Sequence, residues 1–368
     1  MTAPMTLAEH LCRRIAAEGP ISVAEFMAEA LAHPTLGYYT TRDPLGARGD
    51  FITAPEVSQM FGELVGLWSA LAWQAMGSPN PIRLVELGPG RGTLMADALS
   101  AARVVPGFVD AVRVDFVEIN PVLRACQKET MAARAPRQAV AWHDWFDDVP
   151  EGPLIVLANE FFDALPVRQF KRAPDGWRER LVDATEDGRF VFALSDVRQP
   201  LVPPTWDDIL GDVPEDGTVE VSPAACAIAG LVAERIARAR GAALFVDYGP
   251  EQSAPGDTLQ AVRAHDYEDP LAAPGEADLT AHVDFAALAH VGVRAGVRAL
   301  GPVTQGAFLG RLGIGARAEI LMKNAPPEVA RDVKLALHRL TSPEAMGTMF
   351  KVLGYIHTAH EPPPGFAD

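Results

Sequence analysis

The stretch LVELGPGRGTLMADAL, Leu84 to Leu99, limits the fold more than any other part of the sequence. Residues of strand character run into three glycines, and the glycines run into a pattern of helical period. Glycine is needed where a backbone turns sharply or must touch a ligand. A strand, a glycine turn and a helix in that order bring backbone N–H groups and a helix N-terminus to one point. Such a unit belongs to a parallel α/β sheet and commonly holds a cofactor.

The flanking sequence agrees. Ile82–Leu87, Val112–Ile119, Ala139–His143 and Ala242–Gly249 read as buried strands, and Gly152–Pro166 contains another. Helices are expected from Leu94 to about Ala102, from Pro121, and from Pro223 to Arg240. Strands alternating with helices indicate a parallel sheet covered on both faces. Ala316–Asn324 reads as the final strand, and the 40 C-terminal residues read as helical.

Ahead of this core, Leu7, Leu11 and Ile15 recur at helical spacing, and Gly19–Pro20 ends that helix. SVAE (Ser22–Glu25) and TAPE (Thr53–Glu56) read as capping boxes. The second opens one long amphipathic helix through Leu71. His33–Phe51 is a long loop between them, a length uncommon in compact domains unless functional. Two insertions interrupt the core. One, at about 167–222, looks like antiparallel strands joined at Asp175–Gly176 and Asp187–Gly188. The other, at about 250–284, is rich in Gly, Pro, Asp and Glu.

The net charge of −16 argues against broad nucleic-acid binding, which relies on clustered Lys and Arg, and suits a basic protein surface. The three cysteines are far apart and form neither a disulfide framework nor a CxxC metal pair. The nine histidines include no HExxH, so no metal is expected. The N-terminus lacks the apolar run of a secretory signal, and no stretch approaches a membrane span. A soluble cytoplasmic protein is expected.

The glycine spacing narrows the cofactor. A dinucleotide fold wants G-x-G-x-x-G or G-x-G-x-x-A. Here Gly88, Gly90 and Gly92 bring the third glycine one residue early, and Thr93 stands where Gly or Ala is wanted. With Glu86 ahead, the E-x-G-x-G-x-G pattern resembles motif I of S-adenosylmethionine-dependent methyltransferases with a Rossmann-like sheet. That ligand has no pyrophosphate; its ammonium and ribose hydroxyls want carboxylates. Glu86 is placed for the methionine end, and Glu118, closing the second strand, for the ribose hydroxyls. Asp144 closes the third strand as a candidate for the adenine amine, with Trp145 flanking the ring.

Further segments resemble one family, the MidA-like (DUF185) methyltransferases. They are GYYTTRDPLGARGDFITAPEVSQMFGELVG, VELGPGRGTL, VEINPVLR, ANEFFDALPVRQF, FVDYG, GEADLTAHVDF and PPPGF, running from Gly37 to Phe366 in the family's order. The resemblance implies an α/β fold: a mostly parallel class I methyltransferase sheet with helices on both faces, an N-terminal helical cap and inserted substrate-side segments. The expected division is a cap and lid loop at 1–76, a core at 77–325 and a C-terminal helical segment at 326–368. Mitochondrial members assist complex I assembly by methylating an arginine on a core subunit. The resemblance therefore implies a protein substrate of that kind, while the absence of a clear targeting extension suits a bacterial member. Homodimerisation is left open. The alternatives are a non-catalytic assembly chaperone and a nicotinamide-dependent oxidoreductase, which the glycine spacing disfavours.

An arginine nucleophile is protonated at neutral pH, so its site must bind a cation and take up a proton. Carboxylates do both. NEFFDALP follows the fourth strand and supplies Asn159, Glu160 and Asp163 as catalytic candidates, with Phe161 and Phe162 as walls or plain core. Asn159 and Gln59 are also candidates for the cofactor. In the early loop Tyr38, Tyr39, Gly49, Asp50 and Phe51 form a candidate lid. Thr53 and Thr280 read as helix caps, His282 as a minor acid/base candidate, and Asp247 and Tyr248 as the end of the fifth strand.

Overall fold

The run from Ile82 to Leu87 forms the centre of a seven-stranded sheet. The chain's structure is a computed structural model that describes residues 5–41, 53–198, 213–263 and 266–366. It divides into two units: Ile52–Phe161, Ala229–Glu251 and Leu288–Asp368 form one, and Met1–Phe51, Phe162–Ile228 and Gln252–Ala287 the other.

The first of these holds the sheet. Its strands are β1 (Ile82–Leu87), β2 (Val112–Val117), β3 (Val140–His143), β4 (Leu154–Asn159), β5 (Gly241–Tyr248), β6 (Val297–Thr304) and β7 (Phe350–His357). They lie in the order β6-β7-β5-β4-β1-β2-β3. Pairing is parallel from β5 through β4, β1 and β2 to β3, and antiparallel where β7 meets β5 and β6. Side chains of successive residues leave opposite faces of a strand. Leu84, Val114, Phe116, Leu244 and Val246 accordingly join one apolar cluster with Phe61, Leu64, Trp68, Met95 and Leu99 from helices Gln59–Ala75 and Thr93–Ala102. On the other face the Phe245 and Tyr355 rings meet edge to face at 4.9 Å, and the Tyr355 hydroxyl donates to the Leu288 carbonyl. Every residue of β5 is buried, as a strand covered on both faces requires.

The second unit opens with helices Leu7–Glu18 and Val23–Ala32, both closed by capping boxes: Thr6 with Glu9, and Ser22 with Glu25. Their apolar faces, with Leu11, Phe26 and Met27, share a core with Val182, Leu279 and Ala281. The first insertion forms the antiparallel strands Arg168–Ala173, Gly176–Ala184 and Phe190–Arg198, turning where its Asp-Gly pairs predict. Thr218–Val221 and Ile21–Ser22 extend this sheet. In the second insertion, Gln260–Arg263 pairs with both Asp266–Glu268 and Asp278–Thr280.

Three readings need correction. Ala316–Asn324 is not a strand: Ile314–Met322 is a helix entered from Gly313 at φ +88. Its Ala, Arg, Glu, Leu and Met residues are all strong helix formers, and the apolar run ILM hid this. The C-terminal segment is not wholly helical either. Pro327–Thr341 is a helix, but Phe350–His357 is β7, buried between β5 and β6. The helix expected from TAPE onward is broken. Ala54–Val57 stops at Ser58, whose φ of −166° is extended, and Ser58 then caps Gln59–Ala75 by accepting the Met60 N–H.

Candidate functional site

In the sheet-bearing unit the chain winds outward from β1 to β2 and β3, then returns to the other side of β1 to form β4 and β5. Open α/β sheets bind ligands at such a reversal, beyond the carboxyl ends of the strands. Glu86, Gly88, Glu118, Asn159, Glu160 and Asp247 all lie at those ends.

Gly88, Gly90 and Gly92 all have positive φ, at 59°, 53° and 78°. Gly92 is the left-handed N-cap of helix Thr93–Ala102. A Cβ on Gly88 would stand 2.9 Å from the Phe161 ring, so the turn needs glycine there for space as well as conformation. Thr93 donates its hydroxyl to Glu56 at 2.7 Å.

Glu86 is 3% exposed, and its Oε2 is buried without a hydrogen-bond partner. Burial pushes its pKa well above the ordinary 4.5. Glu118 is also buried, but its oxygens are held. One accepts the Asn120 N–H at 2.8 Å and the other the Gln127 amide at 3.2 Å. Burial raises the Glu118 pKa against those bonds and the Arg124 charge.

Gln127 was missed in the sequence. It is fully buried and joins three parts of the site. Its Nε2 also donates to the Gly90 carbonyl at 2.8 Å, and its Oε1 accepts the Trp142 indole N–H at 2.9 Å. One signal could have found it. It stands four residues after Leu123 and four before Met131, on the buried stripe of helix Pro121–Arg134, where an apolar residue is the norm.

The end of β4 is strained. Glu160 has φ +49, and its backbone N–H donates to the Val246 carbonyl. Its Oε1 accepts the Ala54 N–H at 2.9 Å and the Asn159 amide at 3.1 Å. The Asn159 Oδ1 is buried without a partner. Thr53 makes no side-chain cap, which corrects the capping reading of TAPE: Glu160 takes the first N–H of that turn and Glu56 takes Thr93 instead. Asp247 is fully buried and accepts the Phe161 N–H at 3.1 Å; Tyr248 is buried beside it.

The remaining cofactor candidates are peripheral. Asp144 is exposed and paired with Arg124 at 2.5 Å; Trp145 is 69% exposed. Gln59 is exposed and reaches Glu63 at 3.3 Å.

The other unit holds Tyr38, Tyr39, Asp163, Thr280 and His282. Phe162 is 3% exposed and Asp163 7%. Thr280 lies in the strand Asp278–Thr280, so it is not a helix cap. His282 is exposed, its backbone N–H donating to Thr258. Gly49, Asp50 and Phe51 lie outside the described residues. His10, Glu29 and His33 bring potential ligand atoms within 4.8 Å of one another. His33 Nδ1 already accepts the N–H groups of Thr35 and Leu36, so the neutral ring carries its proton on Nε2, the wrong tautomer for a ligand there.

The donor set fits S-adenosylmethionine. Glu86 Oε2 and Asn159 Oδ1 are buried acceptors at the ends of neighbouring strands, suited to an ammonium, and the oriented Glu118 carboxylate suits a ribose diol.

Comparisons with known proteins agree with that chemistry. Residues 64–303 match a family model of S-adenosyl-L-methionine-dependent methyltransferases. The chain is 39% identical to a zebrafish (Danio rerio) protein named protein arginine methyltransferase NDUFAF7, mitochondrial, over 96% of this chain and 87% of that one. It is 38% identical to the human protein of that name, over 94% and 82%. A crystal structure of a superfamily member from Burkholderia thailandensis, bound to S-adenosyl-homocysteine, superposes with a TM-score of 0.82 at 32% identity, covering 96% of this chain and 92% of that one. The mitochondrial relatives overturn the expectation of a bacterial cytoplasmic protein. Among the described residues no helix is long and apolar enough to cross a membrane.

Proposed function

The chain belongs to this family of S-adenosyl-L-methionine-dependent methyltransferases, and we propose that it methylates an arginine side chain of a protein, a core subunit of respiratory complex I. The observation that carries the reading is the pair of buried, unpartnered acceptors, Glu86 Oε2 and Asn159 Oδ1, beside the glycine turn. Two buried polar atoms without partners cost free energy in the absence of a ligand, and an ammonium group relieves both. Glu118, oriented by Asn120 and Gln127, takes the ribose hydroxyls. Gly88, Gly90, Gly92 and Thr93 form the turn against the nucleoside, and Asp144 and Trp145 border the adenine.

Bound in this way, S-adenosylmethionine supplies an electrophilic methyl on sulfur. Transfer forms an N–C bond as the C–S bond breaks, and the guanidinium gives up one proton. The chain's task is to hold the nitrogen in line with the methyl and to receive that proton. Glu160 is the leading acceptor, because the Ala54 N–H and the Asn159 amide fix its carboxylate and its positive φ marks a backbone held under constraint. Asn159 orients Glu160. Phe161 packs against the turn at Gly88.

The test has two parts. Calorimetric titration with S-adenosylhomocysteine is expected to show saturable binding that Glu86→Gln weakens and Gly90→Val abolishes. Incubation with isotopically labelled methyl donor and a complex I core subunit is expected to yield methylarginine by mass spectrometry. Binding without transfer to any protein would favour the assembly chaperone.

A further inference from the structure

Two strand ends at the rim of the sheet-bearing unit share one cation. Glu118 stands just beyond β2 and Asp144 just beyond β3, and these strands run parallel with Val117 beside His143. The Glu118 N–H donates to the His143 carbonyl at 3.0 Å, so the backbone joins the two ends. Arg124 joins them a second time. Its Nε donates to the Glu118 carbonyl at 2.6 Å, and its Nη2 donates to Asp144 Oδ1 at 2.5 Å.

The helix explains the reach. Asn120 is the N-cap of Pro121–Arg134, and the Arg124 N–H closes the first turn on the Asn120 carbonyl. Long side chains on a helix lean back toward its N-terminus, so one at this position returns to the strand ends. A guanidinium carries its donors in a rigid planar fork, which suits two acceptors in fixed directions; an ammonium is a point charge on a flexible stem. The Arg124 side chain is 26% exposed and that of Asp144 64%. An ion pair so open to water adds little to stability, so what this one contributes is geometry. It engages Oδ1 of Asp144 and leaves Oδ2 for a second donor.

We propose that Arg124 is a positioning residue for the adenine of the methyl donor. By tying Asp144 Oδ1 to the Glu118 backbone, it holds the Asp144 carboxylate so that Oδ2 accepts the adenine 6-amino group. The proposal rests on the reading of Asp144 as the adenine acid. Arg124 acts through Asp144 and touches no part of the ligand. Gln127, three residues further along the same helix, holds the Glu118 carboxylate. One helix thus sets the acid for the ribose and the acid for the base.

The experiment is calorimetry on the full chain with S-adenosylhomocysteine and with its analogue carrying purine in place of adenine, which lacks the 6-amino group. Wild type is expected to bind S-adenosylhomocysteine at least tenfold more tightly than the analogue. Arg124→Met keeps the apolar stem and removes every donor; it is expected to cut that ratio to threefold or less, with the melting temperature unchanged. Arg124→Lys keeps the charge without the fork and is expected to lose the ratio as well. A loosened Glu118 backbone weakens both ligands alike, so the ratio rather than the affinity reports on Asp144. Asp144→Ala is expected to remove the ratio, and adding Arg124→Met to it to change the ratio no further. In turnover, Arg124→Met is expected to raise the donor's KM with kcat little changed. A wild-type ratio in Arg124→Met overturns the proposal; if Asp144→Ala has lost the ratio, the adenine reading of Asp144 stands without it. A wild-type ratio in Arg124→Lys shows that charge alone suffices and overturns the two-ended clasp. A wild-type ratio in Asp144→Ala sinks the adenine reading and the proposal with it.

Discussion

Replacing Gln127 with methionine keeps the side chain's length and removes its polar atoms. Three groups then lose a partner: the Gly90 carbonyl, one Glu118 oxygen and the Trp142 indole N–H. Each buried group left unpaired costs about 1–3 kcal/mol, more when it is charged, but Trp142 is only partly buried and can turn to water. A net loss of about 2–4 kcal/mol is expected from those figures, or roughly 3–5 °C in melting temperature at about 1.3 °C per kcal/mol for a chain of 368 residues. The effect on the ligand is separate. Glu118 keeps its bond from the Asn120 N–H but can rotate, and Gly90 loses the tie that fixes the turn. If the ribose hydroxyls meet a loosened carboxylate, one charge-assisted bond of about 1.5–3 kcal/mol is lost, about 10- to 100-fold in affinity. Calorimetry with S-adenosylhomocysteine, run well below the variant's melting temperature, measures this. In turnover, KM for the methyl donor is expected to rise with kcat little changed, because the ribose is bound equally before and during transfer. An affinity within twofold of wild type would refute the argument that Gln127 orients Glu118.

Further expectations concern the same rim. Gly88→Ala places a Cβ 2.9 Å from the Phe161 ring at φ +59, so S-adenosylhomocysteine binding is expected to fall at least tenfold; unchanged binding would show that the turn is not where the ligand lies. Trp145→Ala is expected to leave the melting temperature unchanged, since the ring is 69% exposed, while raising the donor's KM; a change in stability alone would count against its place beside the adenine. Glu160→Gln keeps an acceptor for the Ala54 N–H, so kcat is expected to fall by about 10²-fold or more with little loss of stability, as for a lost general base; a normal kcat would leave Glu160 a structural cap. Glu86 and Glu118 have folded pKa values raised above 4.5, so each bears no penalty below that pH and costs the free protein stability as pH rises through its folded value. If Glu86 meets the ligand's ammonium, binding favours its ionised form, so the thermal stabilisation given by S-adenosylhomocysteine is expected to grow as pH rises from about 4.5 toward neutrality, with proton release on binding. Stabilisation that is flat across that range in thermal scans would contradict it.

The parallel strands were legible because burial on both faces leaves unbroken apolar runs, as in Ala242–Val246. The glycine turn was legible because three positive φ angles permit little else. The two antiparallel strands were not. Within β6 stands Gly301–Pro302, a pair that reads as a loop; the sheet accepts it only because β6 is an edge strand with an irregularity between Leu300 and Val303. Within β7 stands Gly354, where a Cβ would come 2.8 Å from the Phe366 ring. That glycine serves a contact with the C-terminal PPPGF segment, which the local pattern cannot reveal. The candidate acids were chosen by their position at strand ends. Their environment was not: Asp144 and Glu118 look equivalent in sequence, yet one is exposed and ion-paired and the other buried and oriented.

That contrast bears on how such a site works. Glu86 is buried beneath the strand ends with an oxygen left unpartnered, and Glu118 is buried with both oxygens engaged. The first arrangement is unfavourable until a cation arrives; the second is already satisfied and adds directional hydrogen bonding. A rim built only of satisfied acids would bind weakly, since a ligand would replace bonds that exist. A rim built only of orphaned acids would lack directional hydrogen bonding. Combining them lets one residue supply the electrostatic drive and the other the orientation, and Gln127 joins the oriented carboxylate to the glycine turn through one amide.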